Sequence, residues 1–254
     1  MFQITKKLNN FGMSTYKENF TVKTYETDHT GKFKPTSWMY HMQEMANIHA
    51  LSLGFGYDNL IREGIAWVLS RIHVKFLKLP TWKDNLTAET WHKGSDRLFG
   101  FRDYKACDSS GETVILTTSS WLIINTNTRR LQRIDSVLGT DFEGSESVDA
   151  IKEPAERLVS PDGMELRGSV TVKISDIDIN QHANNIRYME WAMNHINTEL
   201  ATKMEITELW INFNNECRLN DVVDIYVKEA EMVYIEGKRG ETSVFQARIG
   251  YRLN

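Results

Sequence analysis

At 254 residues, with 41% hydrophobic, 25% charged and 11% aromatic side chains, the chain has the composition of a folded protein with a sizeable core. Its longest uninterrupted apolar run is five residues, Ile65 to Leu69, far short of the roughly 20 that a membrane-spanning helix needs. A net charge of −4 argues against a general nucleic-acid binder, and two cysteines, Cys107 and Cys217, are too few for a disulfide framework and fit a reducing compartment.

The first twenty residues intersperse Lys6, Lys7, Asn9, Asn10, Lys17 and Glu18, with no apolar stretch resembling a secretion signal. A short strand is expected around Phe20–Lys23. Thr36, after Pro35, is then expected to cap a helix running to about Leu53, with Trp38, Met39, Met42, Met45, Ala46, Ala50 and Leu53 on a wide buried face. Alternating segments rich in β-branched and aromatic residues predict strands at Ala66–Phe76, Asn85–Trp91, Gly100–Cys107 and Val114–Asn125. Residues 139–168 read as a connector. They hold eight acidic residues, two of the four prolines and four of the fifteen glycines, and a short helix is expected at Pro154–Leu158. Beyond it, Asn184 is placed to cap a second helix containing Ile186, Tyr188, Met189, Trp191, Ala192, Met193 and Ile196. Strands are expected at Glu208–Asn214, Val222–Ala230 and Ser243–Leu253.

The two halves resemble each other. Phe20-Thr21-Val22-Lys23 overlies Val170-Thr171-Val172-Lys173 at an offset of 150, and the same offset sets Asp28 on Asp178, Trp38 on Tyr188 and Met39 on Met189. The offset then falls to 137, where Val74-Lys75-Phe76 overlies Ile211-Asn212-Phe213 and Asp84 overlies Asp221. It falls again to 129 for Gly111-Glu112-Thr113 over Gly240-Glu241-Thr242. An internal duplication with shorter loops in the second copy follows. Residues 1–138 and 169–254 are the two domains, each a sheet curled around one long helix.

The segment Asp178-Ile179-Asn180-Gln181-His182-Ala183-Asn184-Asn185 carries the strongest chemical signal. In an extended backbone Asp178, Asn180 and His182 share one face, with Ile177 and Ile179 on the other. The run leads into a helix start, whose amides around Ala183 to Asn185 would suit a developing oxyanion. An acid, an amide and an imidazole there can perform acid–base chemistry on a carbonyl. The plainer reading makes Asp178 and Asn180 turn formers ahead of a helix. Against it, the first copy has Asp28, Thr30 and Lys32 at these positions, so the fold requires neither Asn nor His.

Glu216-Cys217 is the second candidate. Alternation from Ile211 and Phe213 buries Cys217 and leaves Glu216 as the polar participant, while a Cys–His–Asn nucleophile stays open. The first copy has Leu79-Pro80 here. The seven histidines form no ligand pattern with the cysteines, and glycine-rich phosphate loops are absent, so neither a metal nor a cofactor is expected.

These motifs, together with Ala66-Trp67-Val68-Leu69-Ser70-Arg71-Ile72-His73, Leu79-Pro80-Thr81-Trp82 and Asn127-Thr128-Arg129-Arg130-Leu131-Gln132-Arg133, give a chain that resembles the plant-type fatty acyl–acyl-carrier-protein thioesterases and their bacterial relatives. The resemblance implies an α+β tandem hotdog fold, with two antiparallel sheets each wrapped around a long central helix. It implies hydrolysis of the thioester between a fatty acid and acyl carrier protein. Asp178, Asn180, His182 and Glu216 would be the catalytic group, or Cys217 in the nucleophile's role. It places the acyl chain in the first domain, beside Met39, Met42 and Met45. Arg129, Arg130 and Arg133, with Arg187, are candidates for docking the acidic carrier. An organelle leader is not expected, since family sequence begins by about Phe20, so the reading is a bacterial cytoplasmic enzyme, with a homodimer compatible. Alternatives are an acyl-CoA thioesterase of the same fold, a hotdog hydratase or dehydratase, and a non-catalytic acyl-thioester binder.

Overall fold

A computed structural model of the chain describes residues 15–139 and 148–253. Two compact units emerge, Met1–Ser70 with Leu77–Pro154, and Arg71–Phe76 with Ala155–Asn254. Part of the expected connector, residues 140–147, lies outside the described residues, as do residues 1–14.

In the first unit, strand β1 (Thr15–Thr21) precedes helix α1 (Pro35–Ser52), a short helix α2 (Tyr57–Arg62) and the start of strand β2 (Ile65–Phe76), whose Arg71–Phe76 end belongs to the second unit. Strands β3 (Asn85–Ser95), β4 (Phe99–Cys107), β5 (Thr113–Asn125) and β6 (Leu131–Gln132) follow, and then helix α3 (Ile134–Leu138). Strands β1, β3, β4 and β5 pair in that order, all antiparallel, with β6 on β5. Helix α1 buries Trp38, Met39, Met42, Met45, Ala46 and His49, a stripe at helical spacing. Each large apolar side chain so buried contributes about 1.5–3 kcal/mol. Trp38 also spends its polar edge inside the fold, Nε1 donating to Thr117 Oγ1 at 2.9 Å. Thr36 does not cap α1. Lys34 takes the cap position in an extended conformation, its carbonyl accepting from Ser37 and Trp38, because Pro35 fits the first helical turn and needs no acceptor.

The second unit repeats the plan more briefly. Strand β7 (Glu165–Thr171) leads to helix α4 (Asn185–Asn194), helix α5 (Thr198–Lys203), then strands β8 (Met204–Phe213), β9 (Val222–Glu229), β10 (Val233–Arg239) and β11 (Thr242–Leu253). Arg71–Lys75 of β2 pair with β8, and the order continues β11, β10, β9, β7. Asn184 caps α4 as expected, Oδ1 accepting from the Ile186 amide at 2.9 Å. Ile186, Tyr188, Met189, Trp191 and Ala192 are the buried side of that helix. Each unit is thus a helix laid on an antiparallel sheet, the hotdog arrangement of an α+β protein.

The connector departs from expectation twice. Glu165–Gly168 already belong to β7. Pro154–Leu158 is not helical, because its backbone bonds are taken by a side chain of the sheet. Asn212 Oδ1 accepts from the Leu158 amide at 2.7 Å, and Asn212 Nδ2 donates to the Glu156 carbonyl at 3.0 Å.

The duplication holds to the level of single hydrogen bonds. In the first copy the Asp28 amide donates to the Lys32 carbonyl, Lys34 to Glu26, Val22 to Asp84 and Phe33 to Pro80. The second copy repeats these as Asp178 to His182, Asn184 to Asp176, Val172 to Asp221 and Ala183 to Cys217. The β4–β5 and β10–β11 hairpins each turn on a positive-φ glycine, Gly111 and Gly240.

Candidate active site

The Asp178–His182 segment is a closed turn. Ile177 bridges Ala183, the Asp178 amide donates to the His182 carbonyl at 2.9 Å, and Gln181 takes a left-handed φ of +63° where the first copy has Gly31 at +81°. The one-face alternation of Asp178, Asn180 and His182 therefore does not apply, since it needs extended backbone. Ile179, expected opposite them, is 76% exposed.

Asp178 Oδ1 accepts from the Asn180 amide at 2.8 Å, an Asx turn. Asp28 makes the same bond to Thr30 at 2.8 Å, so this oxygen serves a turn common to both copies. Asn180 is exposed. His182 is where the copies part. Its Nε2 lies 3.1 Å from Glu216 Oε2, with side-chain exposures of 18% and 36%. The pair is partly exposed.

Glu216 and Cys217 follow the end of β8, where the Asn214 and Asn215 amides both turn to the Val244 carbonyl. Three backbone bonds pin the dipeptide. The Cys217 carbonyl accepts from Ala183 at 2.8 Å, the Cys217 amide donates to Tyr188 Oη at 2.9 Å, and Arg239 Nη1 donates to the Glu216 carbonyl at 3.2 Å. Arg239 is also paired with Asp221. Cys217 is fully buried, and that burial pushes its thiol up to about 11, against a smaller lowering by Tyr188. A thiol so placed is overwhelmingly neutral near pH 7.

The helix tip is less open than expected. The Ala183 amide is used on Cys217 and the Asn184 amide on the Asp176 carbonyl. What remains is the Asn185 amide, at the first residue of α4, where a helix offers no internal acceptor. Arg187 braces this loop, with Nη2 donating to the Ser175 carbonyl at 3.1 Å and Nη1 2.5 Å from Glu190 Oε2. Its charge is therefore largely matched within the unit.

The other candidates lie in the first unit. Met39, Met42 and Met45 are buried on α1. Arg129 and Arg130 are exposed in the turn after β5, and Arg133 is paired with Asp135. Among the described residues no group of three or more His, Cys, Asp or Glu is placed to hold a metal, and no helix is long and apolar enough to cross a membrane.

Neither Arg239 nor the bond to Tyr188 was anticipated from sequence. No pattern marks the arginine. For Tyr188 a signal existed, because the first copy pairs Trp38 with Pro80 where the second pairs Tyr188 with Cys217.

The chain is 29% identical over 231 residues to oleoyl-acyl carrier protein thioesterase 1 of Arabidopsis thaliana, covering 83% of this chain and 62% of that one. It is 29% identical over 222 residues to the palmitoyl-acyl carrier protein thioesterase of Gossypium hirsutum, covering 82% and 53%. The chain thus spans less than two thirds of these chloroplastic relatives. Among solved structures, the 12:0-ACP thioesterase of Umbellularia californica superposes with a TM-score of 0.84 at 24% identity, over 95% of this chain and 98% of that one. An acyl-ACP thioesterase of Bacteroides thetaiotaomicron does so at 0.81 and 24%, over 94% and 98%. Residues 13–138 match the acyl-ACP thioesterase N-terminal domain and residues 160–251 the acyl-ACP thioesterase C-terminal domain. With a matched domain on each side of the connector, the chain belongs to the acyl-ACP thioesterase family.

Proposed function

We propose that the protein hydrolyses the thioester joining a fatty acyl chain to acyl carrier protein, releasing free fatty acid in the cytoplasm. One observation carries this reading: an imidazole and a carboxylate, found in one copy of a duplicated scaffold and absent from the other, meet at 3.1 Å in a partly accessible position. Glu216 accepts a proton from water as it attacks the carbonyl, and His182 shuttles that proton to the departing sulfur. A thiol of pKa about 8.5 leaves readily, so a water nucleophile activated by a carboxylate suffices. The Asn185 amide and the positive end of α4 favour negative charge on the carbonyl oxygen. Asp178 shapes the loop that presents His182, and Asn180 flanks it for orienting substrate.

Met39, Met42 and Met45 are assigned to the acyl chain, each buried methylene contributing about 0.8 kcal/mol and the unbranched thioethers adapting to an alkyl guest. Arg129, Arg130 and Arg133 are assigned to the acidic carrier, with Arg133 the weakest because Asp135 already neutralises it. Free, unpaired Cys107 and Cys217 support a reducing compartment. A panel of acyl-carrier substrates, read by release of the carrier's free thiol, tests the proposal. Turnover of acyl carriers well above that of the matching acyl-CoA supports it, and the reverse order makes the protein an acyl-CoA thioesterase. Binding without thiol release would leave only an acyl-thioester binder.

A further inference from the structure

The buried phenol of Tyr188 has a use that helix packing alone does not require. Its ring is 1% exposed, stacked on Phe245 at 5.5 Å and edge-on to Trp191 at 5.1 Å, which accounts for an aromatic residue at this position. The oxygen is a separate matter, since it accepts the Cys217 amide at 2.9 Å. That amide is the first backbone donor after Glu216. The duplicated scaffold supplies an internal control. At the equivalent positions the first copy has Trp38, which offers no acceptor, opposite Pro80, which has no N–H to donate. Trp38 turns its indole to Thr117 instead. The bond below this pair is kept in both copies, Phe33 to Pro80 and Ala183 to Cys217. So the scaffold closes this loop without a phenol, and acceptor and donor occur together only where the preceding residue is Glu216 rather than Leu79.

From this matched pair we infer that Tyr188 is a positioning residue for the reaction, holding Glu216 against His182 through its hydrogen bond to the Cys217 amide. The inference rests on Glu216 being the proton-accepting carboxylate. Tyr188→Phe keeps the ring stacking and removes the hydroxyl, both as acceptor for the Cys217 amide and as partner of the Cys217 side chain, a contact that Cys217→Ala removes on its own as a control. It should lower kcat on an acyl-carrier substrate about tenfold or more and leave KM within twofold. In a Cys217→Pro background, which removes the donor as Pro80 does, the same change should alter kcat less than twofold. In a Glu216→Gln background it should likewise leave the residual rate unchanged. Thermal unfolding run in parallel separates a structural role: a lowered Tm with kcat intact at 25 °C overturns the inference. So does an equal loss of kcat in the proline background. If Glu216→Gln itself retains full activity, it is the carboxylate assignment that fails, whatever Tyr188→Phe does. Should the variants not fold, hydrogen exchange on the wild-type protein decides. A Cys217 amide protected like the core strands supports the bond, and exchange at the rate of an exposed loop amide refutes it.

Discussion

Replacing Cys217 by alanine separates two chemistries that the sequence leaves open. With the thiol pushed up to about 11, the ionised fraction at pH 7.5 is roughly 1 in 3,000, a handicap of about 5 kcal/mol relative to a fully ionised nucleophile. The sulfur is also fully buried, and the backbone contacts of residue 217 do not depend on it. Cys217→Ala should therefore keep the amide bond to Tyr188 and the carbonyl bond to Ala183, and lose the packing of one sulfur and its interaction with the Tyr188 hydroxyl. That loss is of order 1 kcal/mol, enough to lower Tm by about 2–4 °C in a chain of this size. Thiol release from an acyl-carrier substrate should proceed with kcat within about threefold of wild type. Alkylation of Cys217 should be slow at neutral pH and accelerate as pH rises towards 11. A variant that unfolds cooperatively near the wild-type temperature yet has lost a thousandfold or more in kcat would refute this reasoning and restore the thiol as nucleophile.

Two further perturbations probe the first unit. Burial, with Arg102 and His49 close by, lowers His92 to about 3, so the folded protein holds it neutral. Below about pH 6.5 the unfolded chain takes up a proton that the folded chain refuses, and stability falls as pH drops towards 3. Between pH 7 and pH 5 this amounts to about 2 kcal/mol. Unfolding free energies from urea titrations should fall between pH 7 and pH 5 by about 2 kcal/mol more in wild type than in His92→Gln, and equal falls would contradict it. Reversing charge at both Arg129 and Arg130 should raise KM for acyl carriers several-fold at low salt and spare small soluble thioesters. Equal loss on both substrates would remove these residues from docking.

Sequence made the scaffold legible wherever the chemistry was local. The repeat could be read because the turn formers Asp28 and Asp178, Asp84 and Asp221, and Gly111 and Gly240 each meet a backbone requirement of their own. The buried stripe of α1 and the Asn184 cap follow from spacing and hydrogen-bonding capacity. Local pattern fails where a distant partner decides. Pro154–Leu158 is pulled out of helix by Asn212, more than fifty residues away. Strand β10 carries a weaker pattern because Gly237 interrupts its alternation, and the register with β11 shifts at that glycine. In the site, alternation misplaced Asp178 because Gln181 adopts a left-handed backbone that glutamine rarely takes, closing the loop instead of extending it. The same loop brings His182 to Glu216, a pairing 34 positions apart that no spacing rule announces.

Turnover by Glu216→Gln tests the central claim most directly, because glutamine keeps the shape of the side chain and its reach to His182 while giving up the capacity to accept a proton. With a long-chain acyl-carrier substrate, kcat should fall at least about a hundredfold, the usual contribution of a general base, while the fold is retained. A rate within threefold of wild type would contradict the assignment of this carboxylate, and with it the account of how the second copy acquired its chemistry.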